Sequence, residues 1–190
     1  CRVTACTGYG TGVGVYNNNG LLADCVIDGI NMHNTSNGNS QDFDYKGLGL
    51  YQSGANALAD RCVITNCFSP VLFPSANKKV GAAAYIAGGA LRNSFIAEND
   101  AGKPVDPSAT ALAASGVLAT DSAVVDNCTI LHNFTQGSGR GAVPGIRLTE
   151  SAVARNCIVL GNGDGFAETN EWVGAAASFT ALLSSDVTGV

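Results

Sequence analysis

Cys62-Val-Ile-Thr-Asn-Cys67 has five relatives in the same chain: Cys1-Arg-Val-Thr-Ala-Cys6, Cys25-Val-Ile-Asp-Gly-Ile30, Ser94-Phe-Ile-Ala-Glu-Asn99, Cys128-Thr-Ile-Leu-His-Asn133 and Cys157-Ile-Val-Leu-Gly-Asn162. The first position is Cys in five copies and Ser in the sixth, and the third is always Val or Ile. Successive first positions lie 24, 37, 32, 34 and 29 residues apart, so a unit of constant length is joined by connections of varying length. That combination marks a repeat architecture, in which each copy is one supersecondary unit.

A second block precedes several copies: Gly12-Val-Gly-Val-Tyr16, Gly47-Leu-Gly-Leu-Tyr51 and Gly81-Ala-Ala-Ala-Tyr85, with weaker forms at Thr110-Ala-Leu-Ala-Ala114 and Gly145-Ile-Arg-Leu148. Between the blocks stand short apolar pairs beside a turn residue, as in Leu21-Leu-Ala-Asp24, Leu58-Ala-Asp-Arg61, Leu91-Arg-Asn93 and Val153-Ala-Arg-Asn156. Short alternating runs rich in β-branched residues and bounded by Gly, Asn or Asp read as strands. A unit of two or three such strands cannot bury its apolar face alone, so the units must stack. Parallel crossovers are right-handed. The expected fold is therefore all-β, a right-handed parallel β-helix solenoid of about six coils with variable loops, forming one domain over 1–190. At ~4.8 Å per coil the rod is roughly 30 Å long. Stacking in register puts a Cys/Ser column inside and an Asn column (Asn99, Asn133, Asn162) at a corner. Cys1 already occupies the first position of its copy, so the chain is expected to start within a coil and to be a section of a longer protein.

Composition narrows the function. Ten Lys and Arg against fifteen Asp and Glu, a net charge of −5, and no basic run longer than Lys78-Lys79 leave no footprint for a nucleic-acid backbone. The longest apolar stretches, such as Gly81–Ala87, fall far short of the ~18 residues a membrane span needs. With 46% hydrophobic and only 13% charged residues, the chain is too apolar for disorder.

The pattern Gly-x-x-x-Tyr, followed by Gly-x-Leu-x-Asn-Cys-x-Ile-x-x-Asn, resembles the pectin-lyase-like β-helix repeats of large secreted bacterial proteins. The run Arg155-Asn-Cys-Ile-Val-Leu-Gly-Asn162, followed by Trp172 and Ser184-Ser-Asp-Val-Thr-Gly189, is similar to the last coils of choice-of-anchor-Q β-helix proteins. The resemblance spans Cys1 to about Val187. It implies an extracellular or cell-surface protein, in some members a polysaccharide-degrading unit. A shared fold does not by itself carry an activity.

Chemistry is expected in the loops Asn31–Lys46, Phe68–Val80, Asp100–Ser108 and Gln136–Arg140, because the stacked strands are occupied with packing. Loops leaving one side of the rod would wall a groove for an extended sugar chain. Asp42 and Asp44, alternating on an extended segment, offer oxygen ligands to a hard cation such as Ca²⁺, or a pair sharing acid and base roles. A lyase needs a cation or Arg against the uronate carboxylate and a base for the C5 proton, and the candidates are Lys46, Arg92 and Arg147. Arg147 follows Ile146 in a strand and is expected to point outward. Gly161-Asn-Gly-Asp-Gly165 reads as a turn, and neither His33 nor His132 has a His/Cys metal spacing around it. No cofactor is called for beyond Ca²⁺ at that Asp pair.

Seven cysteines in a secreted protein first suggest disulfides. Yet Ser94 shares the column of Cys25, Cys62, Cys128 and Cys157, which points to a small-residue ladder of buried free thiols, since parallel in-register side chains suit disulfide torsions poorly. Any disulfide is expected at Cys6 or Cys67, outside that column. The favoured function is a non-catalytic structural, adhesive or glycan-binding domain. The alternative is a polysaccharide-active enzyme fragment, lyase more than hydrolase. Open strand edges at the coil ends also suggest end-to-end self-association.

Overall fold

The computed structural model describes residues 1–8, 10–32, 46–68, 79–81, 83–100, 112–134, 142–163, 172–174 and 178–184. Among these residues every named element is a short strand and every strand pairing is parallel. Three sheets run the length of a right-handed parallel β-helix. In each coil the chain passes through the first sheet (Val15–Asn18, Leu50–Ser53, Ala84–Ala87, Val117–Ala119, Ile146–Leu148, Trp172–Val173). It continues into the second (Leu21–Ala23, Leu58–Asp60, Ala90–Arg92, Val124–Asp126, Val153–Arg155, Phe179–Thr180). The third holds Arg2–Thr4, Val26–Asp28, Val63–Thr65, Phe95–Ala97, Thr129–Leu131, Ile158–Leu160 and Leu183–Ser184. A smaller sheet of Lys79–Gly81, Leu112–Ala114 and Ala142–Val143 enters the first sheet from the preceding side.

The repeated six-residue unit is the third sheet with its two corners. Its central residues Val3, Ile27, Ile64, Ile96, Ile130 and Val159 are in register and point inward, and those from Ile27 to Val159 are fully buried. A left-handed residue precedes each strand's first corner position: Asp24, Arg61, Asn93, Asn127 and Asn156, all with φ between 50° and 55°. Another follows each strand: Ala5, Gly29, Asn66, Glu98, His132 and Gly161. One left-handed residue bends the chain sharply, and Asn, Asp and Gly adopt that conformation most readily. The bend keeps the ladder intact. The N–H of Asp24 bonds the Asp60 carbonyl and that of Asn93 the Asp126 carbonyl, both at 3.1 Å. Two fixed bends around three residues explain why this unit keeps its length while the connections vary.

The corner after the third sheet carries the Asn column as expected. Asn99, Asn133 and Asn162 are buried. Asn99 Nδ2 donates to Asn133 Oδ1 at 2.8 Å and Asn133 Nδ2 to Asn162 Oδ1 at 2.9 Å. Their remaining donors reach main-chain carbonyls, Asn99 to Ala97 at 2.9 Å and Asn162 to Ile130 at 3.0 Å. These bonds also end the strand, because each Asn oxygen takes a main-chain N–H of the coil before it, Cys67 to Asn99 at 2.9 Å among them.

Two expectations need correction. Cys1 and Cys25 are joined by a disulfide across adjacent coils, whereas Cys6 and Cys67 are free thiols. In-register neighbours are brought to a Cα separation of 4.6 Å, inside the range that a disulfide spans. Cys62, Cys128 and Cys157 are buried free thiols. The second block is also shifted in its weaker copies. Tyr85 pairs with Leu118 and Leu118 with Arg147, so the fourth copy is Ala114–Leu118 and the fifth Val143–Arg147. The feature shared by all five is a small residue two places before the Tyr position: Gly14, Gly49, Ala83, Gly116 and Gly145. A Cβ on Gly116 would lie 2.4 Å from the Gly145 carbonyl oxygen, and one on Gly14 2.6 Å from that of Gly49.

Candidate functional site

Alternation along the first sheet sends Ala84, Ile86, Val117 and Ala119 into the core and turns Tyr16, Tyr51, Tyr85, Leu118 and Arg147 outward in one register column. The three tyrosines form a ladder, with ring centroids 5.1 Å apart between Tyr16 and Tyr51 and 5.5 Å between Tyr51 and Tyr85. Both distances suit offset aromatic packing. Exposure falls steeply along the column, from 58% at Tyr16 to 3% at Tyr85 and nil at Leu118.

The cover comes from the smaller sheet. Ala114 packs on Tyr85 and Leu118 from outside the core, so the smaller sheet covers this part of the column. Tyr51 and Ala87 flank this outer cluster. Tyr51 is half-buried, and its burial raises the phenol above its ordinary value while the nearby Lys46 charge opposes the rise. Tyr51 therefore keeps its proton near neutral pH and remains a hydrogen-bond donor.

The stems of the variable loops gather on this side. Asn31, Phe68, Asp100, Phe134 and Gly163 form a ladder of parallel bridges just after the Asn corner, and the chain leaves from that ladder. It returns immediately before the first sheet, at Lys46 or through the smaller sheet. The loops Asn31–Lys46, Phe68–Val80 and Asp100–Ser108 thus share one edge of the rod at their described ends, and Gln136–Arg140 lies outside the described residues. Asp42, Asp44 and His33 lie outside the described residues, as does most of each loop.

Lys46 precedes Gly47 at the level of Tyr51, and its carbonyl accepts the Gly12 N–H at 3.0 Å. Arg147 stands in the tyrosine column three coils further on, about 14 Å along the axis. Burial lowers its guanidinium below the ordinary value, yet arginine stays protonated in proteins. Lys46 and Arg147 are thus brought to one side of the rod, with three coil spacings between their levels. Arg92 is placed elsewhere, on the outer face of the second sheet, in register with Asp60 and Asp126. That face is a charge ladder, with Arg155 Nε 3.3 Å from Asp126 Oδ1. His132 is exposed and pairs with Glu98 at 3.4 Å.

Among the described residues no group of three or more His, Cys, Asp or Glu side chains is placed to hold a metal ion. No helix among them is long and apolar enough to cross a membrane. The tyrosines were legible in the sequence as a recurring Gly-x-x-x-Tyr. What went unread was their direction, which follows from the buried Leu50 and Gln52 on either side of Tyr51. The chain matches no protein-family model, no curated protein and no solved structure.

Proposed function

We propose that the chain is a non-catalytic, secreted or cell-surface β-helix domain of the pectin-lyase-like, choice-of-anchor-Q kind, serving as a scaffold that binds an extended glycan. The observation that supports this reading is the outward tyrosine column, open at Tyr16, half-buried at Tyr51 and covered further along by the smaller sheet. Tyrosine offers an apolar ring for the C–H face of a sugar and a hydroxyl for its polar rim, the mixture that small-molecule sites use. Lys46 and Arg147 add positive charge along the same line, which favours a glycan carrying carboxylates. Titration calorimetry with soluble uronate-rich and neutral polysaccharides tests it. Binding that weakens at least tenfold in Tyr16→Ala/Tyr51→Ala, with an unchanged circular dichroism spectrum, is the expected result. Equal binding by the double variant, or none by the native chain, would discard the tyrosine face.

A lyase fragment is the second reading, and Arg147 favours it, since a half-buried cation on the outward column can neutralise a uronate carboxylate. Its base would have to come from the loops, and Asp42 and Asp44 would supply a Ca²⁺ site. Absorbance of unsaturated products, with Ca²⁺ and with chelator, separates the readings. Calcium-dependent product that is lost in Asp42→Asn and Arg147→Gln would put the lyase first.

A further inference from the structure

Five thiols remain beside the Cys1–Cys25 disulfide, and the ladders sort them. Cys6 and Cys67 share the corner after the third sheet but have Ile30 between them, so about 9.6 Å, two coil spacings, separates their positions. A disulfide tolerates no more than roughly 7 Å between Cα atoms. Cys62 stands in the other corner, where its neighbours are Cys25, already bonded, and Ser94. Cys128 and Cys157 are left as the one pair of free thiols, among the described residues, that are adjacent in a column.

Their setting repeats that of the bonded pair. Val26 N–H meets the Cys1 carbonyl at 2.9 Å, and Ile158 N–H meets the Cys128 carbonyl at 2.9 Å. The following residues pair in the same way, Arg2 with Val26 and Thr129 with Ile158. Both thiols are buried, Cys128 Sγ donating to the Asp126 carbonyl at 3.4 Å and Cys157 Sγ to the Arg155 carbonyl at 3.2 Å, and their mutual interaction raises the Cys128 thiol and lowers the Cys157 thiol.

We propose that Cys128 and Cys157 are an oxidation site that closes a second inter-coil disulfide, with a low-molecular-weight disulfide as the oxidant. The Cys157 thiolate attacks one sulfur of R–S–S–R, forming Cys157–S–S–R and expelling one RS⁻. Cys128 gives its proton to solvent, and its sulfur attacks the Cys157 sulfur and expels the second RS⁻. Two protein thiols lose two electrons, and one small disulfide is reduced to two thiols. Because both sulfurs are enclosed in the finished fold, the exchange belongs to folding or to local opening of these coils. The product would tie Thr129–Leu131 to Ile158–Leu160 as Cys1–Cys25 ties Arg2–Thr4 to Val26–Asp28.

The test is refolding of the reduced chain in a glutathione redox pair, followed by alkylation under denaturing conditions and peptide mapping. Of the seven cysteines, only Cys6, Cys62 and Cys67 are expected to take the label. A crosslinked Cys128–Cys157 peptide, two hydrogens lighter than the reduced pair, is expected with them. Oxidation should also raise the thermal midpoint by several degrees. Cys157→Ser should fold, since Ser94 holds the same column, but should lose that part of the rise and leave Cys128 open to label. Labelling of both Cys128 and Cys157 after oxidative folding overturns the proposal, whether or not Cys1–Cys25 forms. So does recovery of either residue bonded to Cys62 or to glutathione.

Discussion

Asn133 shows how much one side chain can carry in this fold. Its oxygen accepts from the Asn99 side chain and main chain, and its nitrogen donates to Asn162 and to the Ile96 carbonyl at 3.2 Å. Asn133→Ala strands the buried Asn99 main-chain N–H and removes one donor each from the Asn162 oxygen and the Ile96 carbonyl, so a loss of about 1–3 kcal/mol is expected in urea denaturation, the cost of a buried unsatisfied group. Cys67 makes a different prediction. Burial pushes its thiol up to about 12, while an unfolded thiol ionises near ~8.5. Between those values the unfolded chain sheds a proton that the folded chain keeps, so stability is full below the lower value and falls as pH rises through the window. Thermal melts from about pH 8 to about pH 12, across that window, should show a falling midpoint, and Cys67→Ala should flatten the fall. Residue identity in the core was readable from sequence because Val or Ile at the third position is what an inward strand centre requires. Bonding between Cys1 and Cys25 was not, because it depends on a Cα separation that only the stacked coils set.

Among the outward side chains of the first sheet, the covered and the open members of one column have unequal weight. Tyr85 is enclosed by Ala114 and Leu118, so Tyr85→Ala is expected to cost about 3–5 kcal/mol, as large aromatic truncations in a core do. Tyr16→Ala, at the open end of the same ladder, should cost under about 1.5 kcal/mol, the worth of one aromatic contact. Paired denaturation curves check the contrast. Gly116 is the strictest position of the first-sheet corner, because a methyl there meets the Gly145 carbonyl oxygen and Ile130. Gly116→Ala should lower the unfolding midpoint markedly even though an alanine, Ala83, stands in the same column. The register of the weaker copies was misread for a related reason. Gly12 and Gly47 stand out in the sequence but serve only as left-handed turns in their own coils, at φ 63° and 61°. The requirement common to all coils is close approach of main chains two residues later, which leaves only smallness as its trace. Direction along the candidate site was half legible: Arg147 was expected to point outward and does, but its place in the tyrosine column needed the corrected register.

On the scale of the whole molecule, each coil touches only its neighbours, so stability is a sum of coil and interface terms. Ile96 sits at the middle of the third-sheet ladder, between Ile64 and Ile130. Ile96→Ala should therefore raise amide exchange in the coils of Ile64 and Ile130 as well as its own, with the effect fading by Ile27 and Val159. Uniform acceleration over the chain would contradict nearest-neighbour coupling. The same ladders have a mechanical meaning. Their main-chain hydrogen bonds all run along the rod, so tension between its ends loads them a few at a time, and coils should peel off in succession. Each coil released would lengthen the tether by about 100 Å, from roughly 30 residues at ~3.4 Å. The Cys1–Cys25 bond would hold back release of the coil it closes, a fixed stop in an otherwise extensible strap.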